Sequence, residues 1–312
     1  MTVGDPRGIG PEIVQKALAD PRVGERCDVV VVGPSNSGVN VNESIGEWRS
    51  GGGATLAGKL AGLAIERAVQ LALSGEVQGI VTAPIDKAAL LAGGYDYPGH
   101  TEMLAELTES RVAMMLASDK LRVVLATTHI PLSEVGERLT TDAIVSAARI
   151  TREGLEEWFG VASPRIALCA LNPHGGDGGR FGDEDSKLLA PAARQAGIAG
   201  PFPADTVFVR AIRGEFDAVI APYHDVGMTA IKVASFGSAV NVTLGLPFPR
   251  TSPDHGTALD IAGTNSADPS SMIAATLLCA SVASRARPRG GRPASGDPQT
   301  ESRSAGRPSR AR

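Results

Sequence analysis

The sequence is poor in several features that would have classified it at once. It contains no GxGxxG fingerprint, so a dinucleotide, if bound, is not gripped in the Rossmann manner. It contains no run of 18 apolar residues and no basic-then-apolar leader, so a soluble, cytoplasmic protein is expected. Cysteine is scarce: Cys27, Cys169 and Cys279 are far apart and form no CxxC, which excludes a disulfide framework and fits a reducing compartment. No internal repeat is visible. A P-loop is almost spelled by Gly53–Leu60 (GATLAGKL), but Leu60 stands where the magnesium-holding hydroxyl belongs, and no apolar strand precedes it. That segment reads as the start of a helix.

Charge is unevenly spread. Residues 285–312 hold eight arginines against Asp297 and Glu301, a balance of +6; set against the overall −4, the remaining body carries −10. An acidic body argues against nucleic acid as a partner. The tail of Arg, Pro, Gly and Ser cannot offset its ordering entropy and is expected to be disordered. The Gly-, Asn- and Ser-rich stretch Ser35–Gly53 reads as a loop.

Elsewhere short β-branched runs alternate with longer helical patterns. Residues 28–33, 79–82, 121–127, 166–171, 218–221 and 239–243 read as buried strands; 11–19, 57–73, 101–107, 141–158, 186–196 and 270–283 read as helices. Such alternation predicts an α/β fold with a largely parallel sheet covered on both faces.

Three strands share one design: LRVVLATTH, IALCALNPH and AVIAPYH each run into a histidine, at His129, His174 and His224. The chain has five histidines in all. Ligands of open α/β sheets bind beyond the carboxyl ends of the strands, and three neutral imidazoles meeting there would leave coordination positions open on a divalent metal. Other segments carry chemistry with a structural alternative beside it. GDPRGIGPE (Gly4–Glu12) fixes a tight turn before a helix and lets backbone approach a ligand closely. In GHTE (Gly99–Glu102), His100 and Thr101 open a helix, where they suit a phosphate or carboxylate, or simply cap it. Asp225 follows His224 and has three readings: metal ligand, orienter of a histidine, or acid–base group. Lys232 is either an ordinary surface lysine or, since it sits in an apolar run, a desolvated proton donor or anion clamp. Arg250 is either an anion fork or solvated. The glycine-rich loop DHGTALDIAG, Asp254–Gly263, can grip adenine and ribose, or is a long surface loop.

Together GDPRGIGPE, TAPIDK, YPGHTE, ATTHIPL, ALNPHGGDGG, PADT, APYHDVGMTAIK and NVTLGLPFPRTSPDHGTALDIAG resemble the 4-hydroxythreonine-4-phosphate dehydrogenase (PdxA-type) family, in order, from Gly4 to about Ala283. DHGTALDIAG is also similar to the NAD loop of the wider isocitrate/isopropylmalate dehydrogenase superfamily. The resemblance implies two α/β domains sharing a largely parallel sheet with the site between them: residues 1–98 plus 235–284 on the cofactor side, and 99–234 carrying the metal site and dimer contacts. It implies one divalent metal, zinc or magnesium, cobalt or manganese, on His129, His174 and His224. It implies substrate contacts at His100, Thr101, Lys232, Asn241 and Arg250, and catalytic roles for Lys232, Asp225 and Asp205. NAD or NADP would lie on His255, Gly256, Thr257, Asp260 and Asp268. The implied reaction is hydride transfer from a 4-phosphorylated four-carbon hydroxy acid, with decarboxylation, in a homodimer with shared sites, as in pyridoxine biosynthesis. Erythronate or threonate 4-phosphate is the alternative substrate, and acyl transfer to phosphate the alternative chemistry. The chain departs from the family pattern in its brief lead-in to GDP, its short 34–57 stretch, Val226 in place of a common Gln, and the Arg-rich tail. A cofactor-deficient remnant is therefore a further alternative.

Overall fold

The computed structural model describes residues 1–235 and 238–286; the segment 287–312, and with it almost all of the tail read as disordered, lies outside the described residues. Among the described residues there are ten strands: β1 (Val32–Ser35), β2 (Glu43–Glu47), β3 (Ile80–Val81), β4 (Ala113–Ala117), β5 (Arg122–Leu125), β6 (Ile166–Cys169), β7 (Ala199–Phe202), β8 (Ala218–Ala221), β9 (Val240–Leu244) and β10 (Arg250–Ser252). Eight of them form one sheet in the order β3-β10-β9-β4-β5-β8-β6-β7. Pairing is parallel from β5 through β8 and β6 to β7, and between β3 and β10; β10-β9, β9-β4 and β4-β5 are antiparallel. β1 and β2 form a parallel pair, and single bridges from Thr2 to Val32 and to Thr82 connect that pair to the large sheet.

The strands are buried on both faces, so neighbouring residues feed different cores. Met115, Val124, Leu168 and Ile220 enter the apolar cluster on one side; Leu116, Val123, Ala167 and Val219 enter the one on the other. Helices cover both. Helix Gly53–Leu73 buries Ala57, Leu60, Ala61, Ala64, Ile65 and Ala68 at helical spacing, and the P-loop lookalike is its first turns. Helix Ser270–Ala283 falls where the sequence placed it. Helix His224–Ser235 lies directly on β5 and β8: a Cβ at Gly227 would sit 2.8 Å from Leu125 Cδ2 and 2.9 Å from Ala221 Cβ. Among the described residues no helix is long and apolar enough to cross a membrane.

Some expectations change. The stretch 35–53 is not all loop. β2 lies within it, aligned by Asn42, whose side-chain oxygen accepts from the Val31 N–H at 2.8 Å. Its exposed, polar residues give no apolar signal. β4 (AMMLA) lacks β-branched residues, and β10 (RTS) is polar, yet both are buried. Helices Ala204–Ile212 and His224–Ser235 were also absent from the sequence reading. The segment 186–196 begins with a π-helical turn, Asp185–Leu189, before the α-helix Ala190–Ala196.

Candidate active site

The three histidine-bearing strands, β5, β8 and β6, are parallel neighbours, so their carboxyl ends open on one edge of the sheet. His129 and His224 emerge there into a cleft of about 410 Å³. Their ring centroids are 5.4 Å apart and the rings are inclined at 47°. His224 donates from Nδ1 to Asp225 Oδ1 at 2.8 Å, which fixes the ring's orientation and commits Nδ1 to that contact. Asp225 thus orients a histidine; its own side chain is exposed. Burial, aided by the charge of Lys87, holds His129 below the usual histidine range, so its imidazole is neutral near pH 7.

His174 does not join them. The chain beyond β6 is pinned by Asp185, buried to 2% exposure, whose carboxylate accepts from the N–H groups of Leu171 and Asn172 at 2.8 and 3.0 Å. The backbone then runs through left-handed conformations from His174 to Gly178, with φ of 54° at His174 itself. This turns His174 into a separate hollow of about 300 Å³, shared with Asn172, Asp205 and Tyr223. Among the described residues no group of three His, Cys, Asp or Glu side chains is close enough to hold a metal ion. The strand-end trio is therefore brought together only in part, and Asp205 lies with His174 rather than with the cleft.

The opposite wall of the cleft is built for an anion. Arg250 is 2% exposed, with donors on the hydroxyls of Thr82 and Thr243. Burial pushes its guanidinium down to about 10. Beside it lies His100, held neutral well below the ordinary range, first by burial and then by the Arg250 charge. His100 Nε2 and Asn241 Oδ1 are buried with no hydrogen-bond partner among the described residues. An orphaned buried polar atom costs about 1–3 kcal/mol unless something fills its valence. A ligand in the cleft would relieve both. Thr101 lines the same space from the first turn of helix His100–Leu107.

Lys232 is not desolvated as its apolar neighbours suggested. Its side chain is 52% exposed and pairs with Asp254 at 3.1 Å. Of the expected cofactor residues, His255 and Gly256 line the cleft. Thr257 meets the GDPRGIGPE loop: its carbonyl accepts from Ile9 N–H at 2.9 Å, and a Cβ at Gly8 would lie 2.7 Å from that oxygen. That contact explains a glycine at position 8. Asp260 is exposed, and Asp268 accepts from the Ser270 N–H and hydroxyl at 2.9 and 2.6 Å. Neither lines the cleft. Sequence reasoning missed Thr82, Lys87, Glu102 and Asp254 as cleft residues. The first three sit inside the quoted TAPIDK and GHTE segments, so the motif was noticed without the roles.

A family model described as pyridoxal phosphate biosynthetic protein PdxA matches residues 14–279. The chain belongs to the PdxA family. A 4-hydroxythreonine-4-phosphate dehydrogenase of Desulforapulum autotrophicum is 42% identical over 90% of this chain and 94% of its own. One from Geobacter metallireducens is 42% identical over 94% of this chain and 97% of its own. The crystal structure of a Klebsiella pneumoniae 4-hydroxythreonine-4-phosphate dehydrogenase superposes with a TM-score of 0.82 at 39% identity, over 90% of this chain and 98% of that one. These relatives are dehydrogenases acting on a CH–OH group. A branched-chain phosphotransacylase of Enterococcus faecalis shares the fold at 15% identity and a TM-score of 0.58.

Proposed function

We propose that the chain oxidises 4-hydroxythreonine 4-phosphate with NAD or NADP in the presence of a divalent metal, with decarboxylation of the keto acid formed. The observation that carries this reading is the buried Arg250, set beside the orphaned His100 Nε2 and Asn241 Oδ1, across the cleft from the His129–His224 pair. It is an anion pocket facing two imidazoles.

The residues fit a divalent ion. Among the described residues neither imidazole has a protein hydrogen-bond partner at Nε2, and Asp225 orients one of them. Two donors alone make an incomplete site, and His174 is the natural third. In this reading the protein works as a homodimer, and a second copy presents its His174–Asp205 hollow to the cleft. The nicotinamide cofactor would rest on the segment His255–Thr257, which borders the cleft and is braced by Gly8 and Ile9. When bound, the ion would supply Lewis acidity at the substrate hydroxyl and the nicotinamide would supply the hydride acceptor.

The chain's own groups do the rest. Arg250, His100, Asn241 and Thr101 bind the substrate's anionic and hydroxyl groups and hold it against the imidazoles. Lys232, oriented by Asp254, holds a proton at the cleft's edge. Asp225 accepts from Nδ1 of His224 and so fixes the orientation of that ring.

The test is absorbance at 340 nm with metal-reconstituted protein, either cofactor, and 4-hydroxythreonine, erythronate and threonate 4-phosphates. Reduction with the first, lost in His224→Ala, supports the reading. A folded, metal-binding protein that reduces no cofactor with any of them refutes it.

A further inference from the structure

The cleft holds an unspent negative charge. Its cations are Lys87, Lys232 and Arg250, and its carboxylates are Glu102 and Asp254. Asp254 is committed to Lys232 at 3.1 Å. Among the described residues Glu102 makes no ion pair and no hydrogen bond, although its charge reaches Arg250 and His129 and favours protonation of both. It stands in the first turn of helix His100–Leu107; its Oε2 lies 3.5 Å, and Lys87 Cε 3.7 Å, from where a Cβ on Gly99 would be. The carboxylate is therefore held at the same end of the helix as His100, beside the anion pocket.

We propose that Glu102 is a specificity-determining residue, pairing with an ammonium group on the substrate. The inference rests on the dehydrogenase reading above and deepens it. A phosphorylated 2-amino acid brings two anionic groups and one cation; the cleft offers Arg250 and Lys87 to the former and Glu102 to the latter. A 2-hydroxy acid of the same length brings the anions alone. Glu102 would then face its anionic groups in a partly desolvated space with no substrate cation to offset it, and like charges at such range oppose binding. Charge complementarity assigns the amino substrate to this chain and disfavours erythronate and threonate 4-phosphates.

The experiment compares kcat/KM for 4-hydroxythreonine 4-phosphate and erythronate 4-phosphate in the wild type and in Glu102→Gln. Calorimetric titration of each substrate without cofactor gives an independent readout. The wild type is expected to prefer the amino substrate by at least about tenfold. Glu102→Gln should lose about 10- to 100-fold on that substrate, mainly through KM, and leave the hydroxy acid unchanged or improved. If Glu102→Gln does not fold, Glu102→Asp replaces it, with a raised KM on the amino substrate alone. A wild type that prefers the hydroxy acid, or a variant that loses equally on both, overturns the assignment while the dehydrogenase reading stands. A wild type that reduces cofactor with neither substrate fails the dehydrogenase reading itself.

Discussion

Arg250 donates to the Thr82 hydroxyl twice, from Nε at 3.2 Å and from one Nη at 2.6 Å. The other Nη donates to Thr243 at 3.0 Å. Three donors are thus satisfied by neutral hydroxyls, and among the described residues no carboxylate is in contact with the charge. A buried cation in that condition destabilises the empty protein and waits for an anion. Arg250→Met is expected to leave the ligand-free protein equally stable or up to about 2 kcal/mol more stable, while kcat/KM falls by about a thousandfold or more. Inorganic phosphate should raise the melting temperature of the wild type and not that of the variant. Calorimetric melts with and without phosphate check both; a large loss of stability in the ligand-free variant would contradict the account.

Asp185 holds the departing chain of β6 through two backbone N–H groups. Asp185→Ala leaves both half-buried donors unpaired. A loss of about 2–4 kcal/mol in urea unfolding is expected, with activity reduced more than stability alone explains, because the His174 loop loses its anchor. Equal stability of the two proteins would show that the loop is held elsewhere.

His100 gives the protein a pH dependence of known sign. Its folded-state pKa lies well below 6.5, first through burial and then through Arg250. Above pH 6.5 the imidazole is neutral folded and unfolded, and the term is silent. As pH falls below 6.5, the unfolded chain takes up a proton that the folded one refuses, so stability is lost progressively towards the folded pKa. The melting temperature should therefore drop between pH 7 and 5. In His100→Gln that drop should be shallower; an unchanged slope would assign it to other groups.

The shared-site proposal has a direct check. His129→Ala and His174→Ala should each be inactive as purified. Mixed, unfolded and refolded together, they form hybrids in which one of the two sites is intact, so about a quarter of wild-type activity should return. No recovery from hybrids that demonstrably form would place His129 and His174 in the same subunit's site.

Much of this was legible in the sequence because buried strands and amphipathic helices write themselves in apolar periodicity. The histidine-bearing strands, helix Ser270–Ala283 and the false P-loop all read correctly. What was not legible depends on contacts far along the chain. β10 is three residues, Arg250, Thr251 and Ser252, made a buried strand only by β9 and β3 on either side. Arg250 could not be told from a solvated arginine without Thr82, 168 residues away. Lys232 shows the reverse: apolar sequence neighbours suggested burial, but a helix sends successive residues to different faces, and this one meets solvent and Asp254. His174 has the same local pattern as its two counterparts, and only the left-handed backbone after β6 reveals that it turns away.

Gly227 has no side chain, and for that reason helix His224–Ser235 rests against Val123, Leu125 and Ala221 with no spacer. His224 rides on that helix, while His129 follows the strand beneath it. The gap between the two imidazoles is therefore a mechanical reading of how closely one layer sits on the next. A methyl group at position 227 would act as a shim, lifting one jaw of a caliper and widening the gap between the two rings.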